Sequence, residues 1–271
     1  MIKQAIIPLA GLGTRLLPLT SVIPKELLPI NGKPNLEYIL EECIEAGVKQ
    51  FIFIISREKI SIKKYFFNDL FYKKIIKKKK DKRIVEEFRK IKKYQKMIKF
   101  VYQNEPKGTG DAVLKCERLI KNKFFLMLLP DDLIIKKNCT KEMIKLHNKT
   151  KSSIIATKRV DKRTVSRWGI LSIKNKNKNY FQINDVIEKP NAKNAPSNYA
   201  IIGRYILPVD IFDEIKRLKP SHGGEIHITD AIRNLIYNGS KFFGSIFKGK
   251  YLDCGTINGY IQSGIQIFKG N

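Results

Sequence analysis

The stretch from Leu9 to Pro29, LAGLGTRLLPLTSVIPKELLP, follows a short apolar run that reads as a buried strand. It contains two glycines, an arginine and a Pro-Lys-Glu triplet. Because glycine has no Cβ, a loop of this composition lets its backbone approach a phosphate or a base closely. The stretch therefore predicts a ligand-binding loop at the carboxyl end of a first strand.

Neither of two familiar phosphate-binding motifs describes the loop from Gly11 to Arg15. A dinucleotide-binding fingerprint requires a third glycine, but Leu16 stands in its place, and a Walker A loop requires a closing Gly-Lys-Ser or Gly-Lys-Thr. A Gly-x-Gly after a strand is also what an ordinary tight turn contains. The loop alone therefore leaves a turn and a ligand site as open alternatives.

Strands alternate with helices through the first half of the chain. This alternation predicts an α/β fold with a Rossmann-like, mostly parallel sheet flanked by helices. After Ser152, further strand-like runs and a helix over residues 226–239 predict an α+β elaboration in the C-terminal half. Since there is no internal repeat and no Gly/Ser linker, we expect residues 1–271 to form a single domain. The predicted strands are Lys3–Pro8, Gln50–Ser56, Ile98–Gln103 and Lys123–Pro130, and the predicted helices cover residues 34–46, 84–98 and 110–120.

The composition is that of a globular protein, with 43% hydrophobic and 10% aromatic residues. No apolar run approaches the roughly 18 residues that a membrane span requires, and the N-terminus lacks the pattern of a signal peptide. We therefore expect a cytoplasmic protein with no membrane partner. The four cysteines include no C-x-x-C pair, so neither a disulfide framework nor a zinc site is indicated.

The net charge is +28, from 53 basic and 25 acidic residues. Such an excess is typical of proteins that bind nucleic acid, and a nucleic-acid-binding protein is the rival interpretation from another class. However, the excess is spread along the chain, and no helix-turn-helix, zinc-finger or RNP pattern accompanies it. Lys, Asn and Ile share AT-rich codons, so compositional drift also explains the lysines. We expect no specific nucleic-acid partner.

Three polar clusters follow predicted strands. They are the loop over residues 9–15, the segment YQNEPKGTGDAV over residues 102–113, and LPDD over residues 129–132. In a parallel sheet, ligands bind beyond the carboxyl ends of the strands, so we expect these clusters to meet. A carboxylate such as Asp131 at that place either caps a turn or binds a cation.

Seven stretches, in order along nearly the whole chain, resemble the sugar-phosphate nucleotidyltransferase family. The segment after Glu188 is similar to its uridylyltransferase branch, which forms UDP-glucose, rather than to the thymidylyl-, cytidylyl- or guanylyltransferases. The stretches are AGLGTRLLPLTSVIPKELLPINGKP, QNEPKGTGDAV, LLPDD, SRWGIL, VIEKPNAKNAPSNYAIIGRYIL, GGEIHITDAI and YLDCGTINGY.

The resemblance implies an enzyme that joins UTP and glucose 1-phosphate into UDP-glucose and pyrophosphate. In this reaction the sugar phosphate attacks the α-phosphorus in line, so the protein must position the substrates and offset charge, without a nucleophile of its own. The resemblance also implies Mg²⁺ as cofactor and assembly into homo-oligomers. A related enzyme that uses another nucleotide, such as dTTP, or another sugar, such as galactose 1-phosphate, stays an alternative.

The resemblance further implies a set of nucleotide-binding residues. Gln103 would bind the uracil edge, because its amide offers one donor side and one acceptor side. Since an amide can turn over, Gln103 alone does not exclude cytosine, and the backbone of Gly108 would have to help. The remaining members of this set lie in the first loop or shortly after it: Ala10, Gly11, Gly13 and Glu26.

The charged residues of the motifs would act on the phosphates and the sugar. Arg15 and Lys25 are the implied catalytic residues, since they would offset charge on the transferred phosphoryl group. Asp131 and Asp253 are the implied Mg²⁺ ligands. Without the motifs, Lys25 would read as one of many solvated lysines. The implied sugar-phosphate-binding residues are Gly169, Glu188 and Lys189.

The sequence departs from the family pattern beside the predicted base site. Thr109 and Asp111 stand where other small or polar residues are expected, often a histidine near Asp111. Neither residue is among the predicted phosphate contacts, so the departure concerns how the base is recognised rather than the reaction.

Overall fold

The computed structural model describes residues 2–269, and the N-terminal half of the chain supplies the layers predicted for it. The first strand and the helix predicted over residues 34–46 lie within two residues of their predicted bounds. The elements in chain order are β1 (Gln4–Pro8), β2 (Pro29–Ile30), β3 (Lys33–Pro34), α1 (Asn35–Glu45), β4 (Gln50–Ile55), α2 (Ile60–Phe67), α3 (Asp69–Lys79), α4 (Lys82–Gln95), β5 (Ile98–Tyr102), α5 (Thr109–Leu114), β6 (Phe124–Leu128) and β7 (Asp132–Ile135).

The C-terminal half adds longer strands and four more helices within the described residues. The helix predicted over residues 226–239 is α8. The elements in chain order are α6 (Cys139–Thr150), β8 (Ser153–Arg159), β9 (Gly169–Lys174), β10 (Tyr180–Glu188), β11 (Tyr199–Pro208), α7 (Ile211–Arg217), α8 (Ile228–Tyr237), β12 (Phe242–Ile246), β13 (Lys250–Asp253) and α9 (Ile257–Phe268).

Nine strands form one sheet in the order β5-β4-β1-β6-β11-β8-β12-β10-β9. The four strands of the N-terminal half are parallel neighbours, as predicted. β11 then runs antiparallel to β6, and β8 and β12 form a parallel pair between antiparallel neighbours. The sheet is therefore parallel in one half and mixed in the other, which is the α+β elaboration expected for the C-terminal half.

Both faces of the sheet are covered, because successive strand residues belong to different core clusters. Ile6 and Ile52 pack in one cluster, whereas Ile7 and Phe53 pack in the other, and all four are fully buried. Side chains alternate between the faces of a strand, so burial on both faces requires the continuous apolar runs seen in the sequence.

One predicted helix is shorter than expected. The segment predicted as a helix over residues 110–120 forms α5 and then tightens into a 3₁₀ turn over Glu117–Leu119. The N–H of Cys116 bonds to the Val113 carbonyl, three residues back, which ends the α-helical ladder. Within residues 2–269, no helix combines the length and the apolar character that crossing a membrane requires.

Candidate active site

Two cavities open at the carboxyl ends of the parallel strands and share the wall formed by Leu129 and Asp131. The first, of about 240 Å³, is bordered by the backbone of Gly11 and Gly108, and we call it the glycine cavity. The second, of about 160 Å³, has four acidic side chains in its wall, and we call it the carboxylate cavity. These four are Asp131, Asp132, Glu188 and Asp253.

The walls of the glycine cavity come from three strand ends. Ala10 and Gly11 follow β1, and Gln103 follows β5. Asp131 follows β6, with only two residues between them. The convergence predicted for the three polar clusters is therefore present. Gly13 does not border the cavity, but its carbonyl accepts the hydroxyl of Thr20 at 2.9 Å.

Gln103 is buried, and both hydrogen bonds of its side-chain amide are donated by the nitrogen, Nε2. Its Nε2 donates to the Gly108 carbonyl at 3.2 Å and to Asp111 Oδ2 at 2.7 Å. Gly108 adopts a φ of 101°, and a Cβ there would lie 2.5 Å from the carbonyl oxygen of Ile226. Only glycine fits this position, since an added side chain would both strain the backbone and collide with it.

Lys25 and Asp131 form the ion pair at the junction of the two cavities. Lys25 Nζ lies 2.7 Å from Asp131 Oδ2, and Arg15 approaches the same oxygen at 3.5 Å. Burial opposes the charged form of both groups, but their mutual attraction outweighs it, so the pKa of Lys25 is raised and that of Asp131 is lowered. Both groups are thus charged at neutral pH.

Two of the carboxylates converge on one point beside the backbone of Gly255. A Cβ placed on Gly255 would stand 2.9 Å from Asp131 Oδ2, 2.9 Å from the Arg15 guanidinium and 3.3 Å from Asp253 Oδ1. β13 pairs with β7 so that Asp253 is opposite Asp132, which carries this segment to the site. The structure therefore brings together the two residues predicted as metal ligands.

A buried arginine fixes the segment that carries Asp131. Arg204, on β11, is fully buried and donates to the carbonyls of Leu129 at 3.0 Å, Gly203 at 3.1 Å and Asp132 at 2.6 Å. Its charge is balanced by Glu42 at 3.0 Å. Burial and the adjacent charge of Asp131 raise the pKa of Asp132 to about 6. Asp132 and Arg204 both lie in quoted stretches, but neither was given a role, because such long-range contacts leave no local pattern.

Glu188 and Gly169 meet at the far wall of the carboxylate cavity. Glu188 Oε2 accepts the hydroxyl of Thr229 at 3.0 Å, and a Cβ on Gly169 would lie 3.3 Å from the same oxygen. Both residues, which are predicted to bind the sugar phosphate, border the cavity. Three further bordering residues were not predicted, although each lies within a quoted motif: Arg167, Thr229 and Tyr251.

Besides Gly13, two predicted site residues border neither cavity. Glu26 is buried, and both of its oxygens accept from the Lys59 ammonium, at 2.8 and 2.9 Å. Lys189 directs its ammonium to within 3.7 Å of Glu188 Oε1. Glu26 therefore ties the segment next to Lys25 to Lys59 through a buried ion pair, and Lys189 lies beside Glu188 without bordering the cavity.

Comparison with known proteins places these features in a family. The family model described as nucleotidyl transferase matches residues 4–269. A UTP–glucose-1-phosphate uridylyltransferase of Pseudomonas aeruginosa is 38% identical over 97% of this chain and 95% of its own length.

Solved structures give the same result. A UDP-glucose pyrophosphorylase complexed with UDP-glucose superposes with a TM-score of 0.88 at 37% identity, over 100% of both chains. The UTP-bound enzyme of Acinetobacter baumannii has a TM-score of 0.88 at 31% identity, over 98% of this chain and 93% of that one.

Proposed function

We propose, since the chain belongs to the nucleotidyl transferase family, that it transfers a uridylyl group from UTP to glucose 1-phosphate. The products are UDP-glucose and pyrophosphate. The observation that carries this proposal is the pair of cavities that share the Asp131 wall, with Lys25 at their junction. A sugar nucleotide has the matching layout, with a base at one end, a sugar at the other and phosphates between them.

In the proposed reaction, an oxygen of the sugar phosphate attacks the α-phosphorus of UTP. The new P–O bond forms as the bond from the α-phosphorus to the β-bridging oxygen breaks, and pyrophosphate leaves with that electron pair. Lys25 and Arg15 offset the negative charge that gathers between the cavities. Glu188 accepts hydroxyl groups of glucose, and no protein side chain needs to gain or lose a proton.

The residues around Gly255 fit a magnesium ion. Mg²⁺ favours one or two carboxylates together with phosphate oxygens, and Asp131 Oδ2 and Asp253 Oδ1 lie near one point. The Arg15 guanidinium is equally close to that point and Lys25 pairs with the same Asp131 oxygen, so both cations would have to turn to the phosphates when the ion binds. No group of three or more His, Cys, Asp or Glu residues suited to a metal occurs between residues 2 and 269, so phosphates would supply the other ligands. When bound there, the ion would screen the phosphates from one another.

Pyrophosphate release tests the proposed function. We expect turnover with UTP, glucose 1-phosphate and Mg²⁺, and less turnover when CTP, GTP or dTTP replaces UTP or galactose 1-phosphate replaces glucose 1-phosphate. Turnover that prefers another nucleotide or sugar would assign the chain to a different branch of the family. No turnover with any pair would contradict the proposal.

We extend the proposal to the assembly and the surroundings of the chain. Both halves contribute to one nine-stranded sheet, which supports a single domain. A row of exposed apolar residues on α9 supports association into homo-oligomers, which light scattering on the purified protein would measure. The cytoplasmic location stays a prediction. The row consists of Ile257, Ile261, Ile265 and Phe268.

A further inference from the structure

The side-chain amide of Gln103 has no hydrogen left for a ligand. An amide nitrogen carries two hydrogens, and Nε2 directs one to the Gly108 carbonyl and one to Asp111 Oδ2. The other end of the amide, Oε1, accepts no hydrogen bond from the described residues. Toward the glycine cavity, Gln103 therefore offers an acceptor and no donor.

Asp111 is what prevents this amide from turning over. A carboxylate accepts hydrogen bonds and cannot donate them, and the same is true of the Gly108 carbonyl. If the amide rotated by half a turn, Oε1 would face these two acceptor oxygens and both hydrogen bonds would be lost. Lys115, the residue directly after α5, places its ammonium 3.4 Å from Asp111 Oδ1.

We propose that Asp111 sets the choice of uracil over cytosine by holding Gln103 with its oxygen toward the base. This inference rests on the proposed function and names the basis of its nucleotide selectivity. Uracil carries a hydrogen on N3 and can donate it to Oε1, whereas N3 of cytosine is an acceptor and would face another acceptor. Asp111 is thus a positioning residue for base specificity.

Asp111 does not distinguish uracil from thymine. Thymine has the same N3–H and O4 as uracil, so the orientation of Gln103 treats the two bases alike. Discrimination between UTP and dTTP must come from other contacts. The ratio of UTP to dTTP turnover therefore serves as an internal control for the ratio of UTP to CTP turnover.

The test is the variant Asp111→Asn, which has the same shape and can present either an oxygen or an NH₂ group to Gln103. Because a turned-over Gln103 would then keep a partner at residue 111 and lose only the bond to the Gly108 carbonyl, we expect the kcat/KM ratio of UTP over CTP to fall by up to about tenfold, the effect of one hydrogen bond. The UTP over dTTP ratio should stay within about twofold of wild type, because the orientation of Gln103 treats the two bases alike. A twofold change is well below the effect of one hydrogen bond.

Glu117→Gln is the matched control, because it also removes one negative charge and lies close to Asp111 in the sequence. Glu117 pairs with Lys216 and does not border the glycine cavity. Its UTP over CTP ratio should equal that of wild type. An unchanged ratio in Asp111→Asn, or equal losses for UTP, dTTP and CTP, would overturn the inference and leave the proposed function standing. A wild-type enzyme that turns over none of these nucleotides would instead refute the proposed function.

Discussion

The glycine cavity and the carboxylate cavity share a wall but are lined by different chemical groups. The glycine cavity is formed largely by backbone and small residues at the ends of the parallel strands, with one neutral amide, that of Gln103. The carboxylate cavity has six charged side chains in its wall, three of them from the C-terminal half. In the proposed function, one end of the ligand would be recognised by backbone shape and the other by charge.

This difference predicts different responses to mutation. A cavity lined by backbone tolerates the loss of a side chain but not the addition of one, because an added Cβ occupies ligand space or collides with the chain. A cavity lined by carboxylates depends on each oxygen that accepts a hydroxyl or a cation. Substitutions in the glycine cavity should change the KM for UTP, and those in the carboxylate cavity the KM for the sugar phosphate.

The largest effect is expected at the junction, where Lys25 pairs with Asp131, which borders both cavities. Lys25→Ala removes the ammonium 2.7 Å from Asp131. We expect kcat to fall about 100- to 1,000-fold, as when one preorganised electrostatic partner of a transition state is lost. Far-UV circular dichroism should show a retained fold. Lys216→Ala, which breaks an exposed pair, is the control, and wild-type pyrophosphate release from Lys25→Ala would refute the role.

Gly108→Ala should have the next largest effect. The added methyl group would lie 2.5 Å from the Ile226 carbonyl oxygen, so the segment facing the base must shift. We expect the KM for UTP to rise tenfold or more, about the contribution of one hydrogen bond to a base, with the KM for glucose 1-phosphate less affected. Steady-state kinetics with each substrate varied in turn measures this.

Gly239→Ala controls for backbone strain, since Gly239 also has a positive φ but meets no atom within 4 Å of a Cβ. It should lower the melting temperature and leave both KM values unchanged. A parallel rise of the KM for UTP in both glycine variants would mean that strain, rather than the cavity, is responsible.

Glu188→Gln tests the opposite cavity. The variant keeps an oxygen for Thr229 but loses the charge, and hydrogen bonds to a charged acceptor are stronger by about 1 kcal/mol. We expect the KM for glucose 1-phosphate to rise about fivefold, the equivalent of that energy, with the KM for UTP unchanged. A rise in the KM for UTP alone would reverse the assignment of the two cavities.

The smallest effect is expected for Gly11→Ala. A Cβ at Gly11 meets no protein atom within 4 Å, so the melting temperature should equal that of wild type. Because Gly11 borders the glycine cavity, the methyl group should raise the KM for UTP by about two- to fourfold, less than the loss of one hydrogen bond. A stable variant with an unchanged KM would show that the loop does not contact the nucleotide.

The sequence predicted the parallel half of the fold and its three polar strand ends, because these depend on local patterns of apolar residues and glycines. The order of the C-terminal strands depends on long-range pairing, such as that of Ser153 with Phe242, which no local pattern encodes. The buried contacts of Arg204 were missed for the same reason, and the hydrogen bond from Gln103 to Asp111 was missed because it depends on side-chain geometry. Family motifs identified Lys25, which composition alone would have left among the many lysines.

A crystal structure of the complex with UDP-glucose and Mg²⁺ tests the division between the two cavities most directly. We expect uracil in the glycine cavity, with N3 about 2.9 Å from Gln103 Oε1, the phosphates beside Lys25 and Arg15, and a glucose hydroxyl on Glu188. A base bound in the carboxylate cavity, or phosphates remote from Lys25 and Asp131, would contradict the account.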